Sequence, residues 1–266
     1  MTTAQTKQDT GKNAIQNPAA LPLAERRERV FFLLAAVFIC AMTLLNVIGI
    51  TRFVQLGPIQ LALGVLPYPL TFLCTDLICE LYGRARANFV VSVGLLLNLL
   101  IIGFLWLGQQ LPAVAPDSMP SWQMIQLAEG IRLPSGNIAT EQIELFQLIY
   151  QCSAGAVFAS MIAYIAAQYA DVRLFHFFKR LTAGKHLWLR NNCSTAISQA
   201  IDSFIVIGIT FSAAYFAGEI SLAILLTLMA SNYLFKLLAA LLDTLPLYWL
   251  VGKLSRYLQI DHRVVK

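Results

Sequence analysis

No charged residue interrupts the chain between Phe53 and Thr75, and apolar stretches of similar length recur along it. They cover about residues 30–50, 59–82, 89–107, 148–170, 193–217 and 220–251. A hydrocarbon core ~30 Å thick is crossed by a helix of ~20 apolar residues. A helix is favoured because no water is present there to satisfy open backbone groups. The alternating short segments of a membrane barrel are missing. With 58% hydrophobic and 12% charged residues in 266, the chain is too apolar for an ordinary soluble domain. The reading is an all-α polytopic membrane protein with six transmembrane helices.

Basic residues orient the spans. Lys7, Lys12, Arg26, Arg27 and Arg29 precede the first, Arg84 and Arg86 follow the second, and Arg173, Lys179, Arg180, Lys185 and Arg190 follow the fourth. Lys253, Arg256, Arg263 and Lys266 follow the sixth, which leaves Arg52 and Arg132 on the other side. Both termini are therefore expected in the cytoplasm. Residues 1–25 read as a disordered cytoplasmic tail, 26–257 as the six-helix domain and 258–266 as a second tail. The tail lacks the apolar core of a signal peptide, so the first span is expected to stay uncleaved. A short interfacial helix is expected near residues 122–128.

The polar residues inside the spans carry the chemistry. Asp76 and Glu80 close the second span at i, i+4, so they share one helix face about a turn apart. An acid within a span costs about 2.5–3.5 kcal/mol, so two on one face imply water, a cation or a hydrogen-bonding ligand, unless they pair with Arg84 and Arg86 at the headgroups. Pro67 and Pro69 predict a kink or unwound turn just before them. In the fifth span Thr195, Gln199 and Asp202 form one stripe, and in the sixth Asn232, Lys236 and Asp243 form another, with Pro246 interrupting it. A rise of ~1.5 Å per residue puts Asp202 and Asp243 at similar depths. Lys236 is expected either to neutralise one of these two acids or to serve a ligand. Asn46 in the first span points to the bundle, where a plain interhelical hydrogen bond accounts for it.

Four acids and one lysine suit a proton or cation relay, or recognition of a ligand rich in N–H donors. A guanine-like ring fits the second, because its ring N–H and amino group donate two parallel bonds to one carboxylate. Catalysis is not expected. His176, His186 and His262 lie in loops, away from any nucleophile in the spans, and the cysteines form no Cys-x-x-Cys pair. No nucleophile elbow or Walker loop is present, so the chain is not expected to hydrolyse ATP. Neither metal nor cofactor is implied, and the positive charge, spread over loops, does not point to nucleic acid.

Three ordered blocks carry a resemblance. Residues 68–83, Tyr-Pro-Leu-Thr-Phe-Leu-Cys-Thr-Asp-Leu-Ile-Cys-Glu-Leu-Tyr-Gly, resemble the Phe-Pro-Leu-Thr-Phe-Leu…Asp…Glu-x-Tyr-Gly signature of the queuosine-precursor transporters, a family earlier grouped with vitamin uptake transporters. Here Tyr68 stands where that signature has Phe. The stretch from Gly184 through Trp188 and Arg190 to Asp202, and Lys236 followed by Asp243-Thr-Leu-Pro246, agree with it as well.

The resemblance implies an inner-membrane importer of 7-cyano- or 7-aminomethyl-7-deazaguanine for tRNA modification. It also implies kinship with the substrate-binding subunits of energy-coupling-factor vitamin importers, which is the alternative reading. Under the first reading Asp76, Glu80, Gln199, Asp202, Asn232 and Lys236 are expected to bind substrate. Arg190, Ser194 and Thr195 are candidates for a gate, and Asp243 stands where the family pattern has a less polar residue. Coupling to protons and assembly into a homo-oligomer are compatible with the pattern.

Overall fold

A computed structural model describes residues 22–49, 51–57, 59–115, 118–133, 136–182 and 187–260. The described chain is predominantly helical, and six of its segments are long and apolar enough to cross a membrane. The all-α polytopic class is therefore observed. The elements run α1 (Leu23–Val47), β1 (Phe53–Leu56), β2 (Ile59–Ala62), a 3-10 turn (Leu63–Val65), α2 (Tyr68–Tyr82) and α3 (Arg84–Gln110). After α3 come β3 (Met124–Gln126), β4 (Ile131–Arg132), β5 (Ile138–Ala139) and β6 (Gln142–Glu144). The chain closes with α4 (Leu145–Leu181), α5 (Leu187–Thr210), the short α6 (Ser212–Phe216), α7 (Leu222–Leu242) and α8 (Thr244–Leu258).

Large apolar side chains such as Phe32, Phe89, Phe104, Phe158 and Ile165 face outward. In a bilayer such a surface meets lipid tails and costs nothing. The interior is packed in patches. Phe38, Cys74, Ile78, Ala87 and Val90 join α1, α2 and α3. Ile207, Leu225, Leu228 and Met229 join α5 to α7. α4 and α5 make the most extensive helix contact, and on both many of the buried residues are small: Ser153, Ala156, Ala159 and Ala163 on one, Ser194 and Ser198 on the other. Small side chains let two backbones approach where no hydrophobic force drives helices together.

Opposite ends of the bundle close differently. At the end where α1 begins and α8 finishes, Arg27 donates to the carbonyls of Leu258 and Gln259 at 3.1 and 3.0 Å. A cation there satisfies open carbonyls and offsets the negative end of the helix dipole. The Tyr82 hydroxyl donates to the Arg27 carbonyl at 2.9 Å, which ties the end of α2 to the same place. At the other end, which carries the strands, Arg132 pairs with Glu219 at 3.1 Å.

The second crossing is interrupted, as the prolines predict, and by more than the expected kink or unwound turn within a helix over residues 59–82. Its first part is the antiparallel hairpin β1–β2, in register Phe53 to Ala62, followed by the 3-10 turn. Helix α2 begins only at Tyr68. The prolines account for this start, since neither Pro67 nor Pro69 can donate to a carbonyl four residues back. At 15 residues α2 is too short to cross a bilayer alone. The 3-10 turn and α2 together, Leu63–Tyr82, are long and apolar enough to cross, and Leu61 of the hairpin and Gly64 and Val65 of the turn are buried against the rest of the protein. Non-helical backbone at depth is tolerated when it is covered in this way. The Leu63 amide donates to Arg52 and the Gly64 amide to Gly49, so the turn's donors are satisfied.

Other boundaries also move. α4 runs on to Leu181, so most of the expected loop after residue 170 is helix. The expected interfacial helix at residues 122–128 is instead a 3-10 turn leading into β3. In the last crossing α7 stops at Leu242, Asp243 forms the joint, and Pro246 sits in the first turn of α8. Pro246 has no amide hydrogen for the Leu242 carbonyl, and its ring would strike that carbonyl in a continuous helix. Most of the expected first tail, residues 1–21, and residues 261–266 of the second lie outside the described residues.

The crossing of Gly49 and Gly64 tests this arrangement. A Cβ on Gly64 would fall 2.5 Å from both the Gly49 Cα and the Leu45 carbonyl oxygen, which are backbone atoms that cannot swing aside. Gly64→Ala is expected to lower stability by about 1–3 kcal/mol, read as a lower thermal-unfolding midpoint in detergent. Gly155→Ala, where a Cβ meets nothing within 4 Å, is expected to leave the midpoint unchanged.

Candidate functional site

Lys236 is the largest fully buried side chain among the described residues, with 0% of its surface exposed. It sits on α7, one turn beyond Asn232, so both point to the same side of that helix. Its ammonium donates to Oδ2 of Asp202 on α5, and the two form a buried ion pair. The Nζ also lies 4.0 Å from the centroid of the Tyr68 ring at the start of α2. An ammonium over an aromatic face is attracted by the ring's quadrupole, most strongly when both are shielded from water. Three helices are thus drawn to one cation, and the third reaches it because α2 begins where the hairpin ends.

Beside this pair lies a cavity. Asn46 and Leu45 of α1, Gly64 and Val65 of the 3-10 turn, Tyr68, Ala156 and Ser160 of α4, Val206, Ile207 and Phe211 near the end of α5, and Asn232 and Lys236 line it. About 450 Å³ of space, open solvent included, lies between its walls. Only about 50 Å³ of it admits the centre of a water-sized sphere, so the interior is a slot holding a few waters. The walls are mostly apolar with a few polar groups, as in ligand pockets generally.

Several polar atoms at the site have no partner. Oδ1 of Asn46 and Oδ1 of Asn232, both in the cavity wall, are shielded from solvent and accept no hydrogen bond; Oε1 of Gln199 and Oγ of Ser203 on α5 are likewise unpartnered but do not line the cavity. Such a group costs about 1–3 kcal/mol when buried. The two in the wall reward any occupant that supplies donors.

The expected site residues divide into two groups. Asp202, Lys236 and Asn232 come together, with Gln199 one turn from Asp202 along α5. Of the two expected partners for Lys236, the structure selects Asp202. Asp76 and Glu80 share a face of α2 as expected, but that face is exposed and lies away from the cavity. Asp243, at the joint of α7 and α8, is within electrostatic reach of Asp76, and its Oδ2 is shielded without a partner. These three acids form a separate group toward the end where α8 finishes. Ser194 is buried and Thr195 half-buried in the first part of α5. Arg190 stands on the same helix, with its side chain outside the described residues.

Tyr68 and the turn at Gly64 were not among the expected site residues. The available signal was the double proline: a helix that cannot extend past Pro67 must present its first side chains deep in the bundle.

A family model described as "Putative vitamin uptake transporter" matches residues 62–250. The chain is also 29% identical over 196 residues to a Bacillus subtilis (strain 168) protein named "Probable queuosine precursor transporter", covering 73% of each chain. No solved structure matches.

The buried pair makes a stability prediction. Lys236→Met alone leaves Asp202 charged and unpaired, and is expected to cost about 3–5 kcal/mol. Lys236→Met with Asp202→Leu removes both charges and is expected to recover most of that loss. Thermal unfolding of the single and double variants in detergent checks it.

Proposed function

We propose that this chain, which belongs to the "Putative vitamin uptake transporter" family, imports queuosine precursors across the inner membrane. The substrates are 7-cyano-7-deazaguanine, 7-aminomethyl-7-deazaguanine, or both. The observation that carries the reading is a small apolar slot whose wall holds the lysine of a buried ion pair and unsatisfied acceptors. A deazaguanine is flat, carries adjacent N–H donors, and has one ring carbonyl. Its faces suit the apolar walls. Asp202 and Gln199 take the opposite, five-membered-ring edge, and Lys236 donates to its carbonyl. The name of the Bacillus subtilis relative supports the same substrate class.

Asp76, Glu80 and Asp243 then form a second station between the slot and the cytoplasm, where carboxylates take the ring's donors or carry protons. Ser194, Thr195 and Arg190 gate that path. The chain itself carries out no catalysis in this reading. Import needs no coupling if incorporation into tRNA traps the substrate, and the ionisable groups permit proton symport. The family description favours one competing reading, a vitamin-binding subunit that docks on a separate ATPase module. Co-purification with such a module would support that alternative.

The test uses cells unable to make the precursor, fed nanomolar nitrile or amine form, with queuosine in tRNA as the readout. The intact protein is expected to restore queuosine. Asp202→Asn and Asp76→Asn/Glu80→Gln, at matched expression, are expected to reduce it at least tenfold. Equal queuosine with and without the protein would remove the assignment.

A further inference from the structure

Asn46 is a buried polar side chain with no role in the function just proposed. It lies at the end of α1, before the stretch matched by the family model, and is 2% exposed. Its Nδ2 donates to the Met42 carbonyl of its own helix at 3.1 Å. That bond sets which way the amide faces, because a carbonyl oxygen cannot take the donor's place. Oδ1 is therefore turned away from the helix backbone, and it is shielded from solvent with nothing donating to it. An ordinary interhelical hydrogen bond would require a donor on a neighbouring helix, and among the described residues none reaches this oxygen.

Asn46 lines the cavity. So does Asn232 of α7, also 2% exposed and also with an unpartnered Oδ1. The cation in the wall, Lys236, already has Asp202 and the Tyr68 ring as partners. What the two asparagine oxygens lack is a hydrogen-bond donor.

We propose that Asn46 is a specificity-determining residue whose Oδ1, together with that of Asn232, accepts N–H donors from a flat heterocycle lodged in the slot. The identity of the heterocycle rests on the transport reading above; the acceptor role rests on the two unpartnered oxygens. A ring with an N–H beside an exocyclic amino group satisfies both acceptors. A ring lacking the amino group leaves one unsatisfied, and a ring with an acceptor in that place sets oxygen against a lone pair. Rejection of this kind comes from a buried group left unpaired, and is sharper than rejection by size alone.

The test measures equilibrium binding to purified protein in lipid nanodiscs, using 7-cyano-7-deazaguanine and its analogue without the 2-amino group. The wild type is expected to favour the amino-bearing ring at least tenfold. Asn46→Leu is expected to weaken binding of that ring about tenfold, the ordinary worth of one hydrogen bond, with little effect on the analogue, so the preference collapses. Asn46→Asp keeps an acceptor and is expected to keep the preference. A monodisperse Asn46→Leu protein with wild-type affinity and preference would overturn the proposal. If the leucine variant does not fold, Asn46→Ser, shorter and polar, replaces it with the same expected collapse and the same overturning result. If the wild type binds neither deazapurine, the substrate named above falls. The comparison then runs with guanine and hypoxanthine, where an Asn46-dependent preference for guanine upholds the acceptor role and its absence overturns it.

Discussion

One ammonium group, wholly enclosed, governs the interior of this protein. Removing an ion from water costs several kcal/mol even after relaxation, and a bilayer offers no water to soften that cost. The Lys236 charge is offset by Asp202 from α5 and by the ring of Tyr68 from α2. These contacts place α2, α5 and α7 around one point. Replacing such a pair by apolar side chains of similar volume is often neutral or stabilising, so stability alone is a weak reason for its presence. Its position in the wall of a slot with unsatisfied acceptors supplies a better one.

The broken second crossing follows from the same centre. Were the helix continuous from residue 59, the residue at position 68 would lie in mid-helix, with its ring on whichever face the helical phase dictated. Because β1–β2 and the 3-10 turn replace the first half of the crossing, Tyr68 stands at the first position of α2, facing the lysine. The turn also forms one wall of the slot through Gly64 and Val65. The contact of Gly49 and Gly64 holds that wall against α1, close to Asn46. Broken segments of this kind recur at the substrate sites of membrane transporters, since they expose polar backbone and side chains at depth.

The number and order of crossings were legible because each needs a long apolar run, and such runs are conspicuous. Their ends were not. α4 continues past the hydrocarbon run through Asp171 and Arg173, since a helix need not stop where apolarity does. The β1–β2 hairpin was hidden inside an uncharged stretch that reads as helix by composition, although Gly57-Pro58 and the later prolines marked the places where a helix fails. Helical rise placed Asp202 level with Asp243 and Lys236 two turns further outward, whereas the structure pairs Lys236 with Asp202. The rise gave depth without azimuth, so Asp202 and Asp243 remained equal candidates for the lysine. The shared face of Asp76 and Glu80 followed from spacing. Its exposure did not, because a helix apolar on most sides gives no contrast between faces toward lipid, protein or water.

The central claim is that the buried pair is kept for the ligand. It is tested most directly by uptake of radiolabelled precursor into liposomes containing the Lys236→Met/Asp202→Leu protein, with the wild type alongside. If the claim is right, the variant is folded and monodisperse yet takes up precursor no faster than empty liposomes. Uptake at the wild-type rate by that variant would contradict it and leave the pair as a packing feature of the bundle.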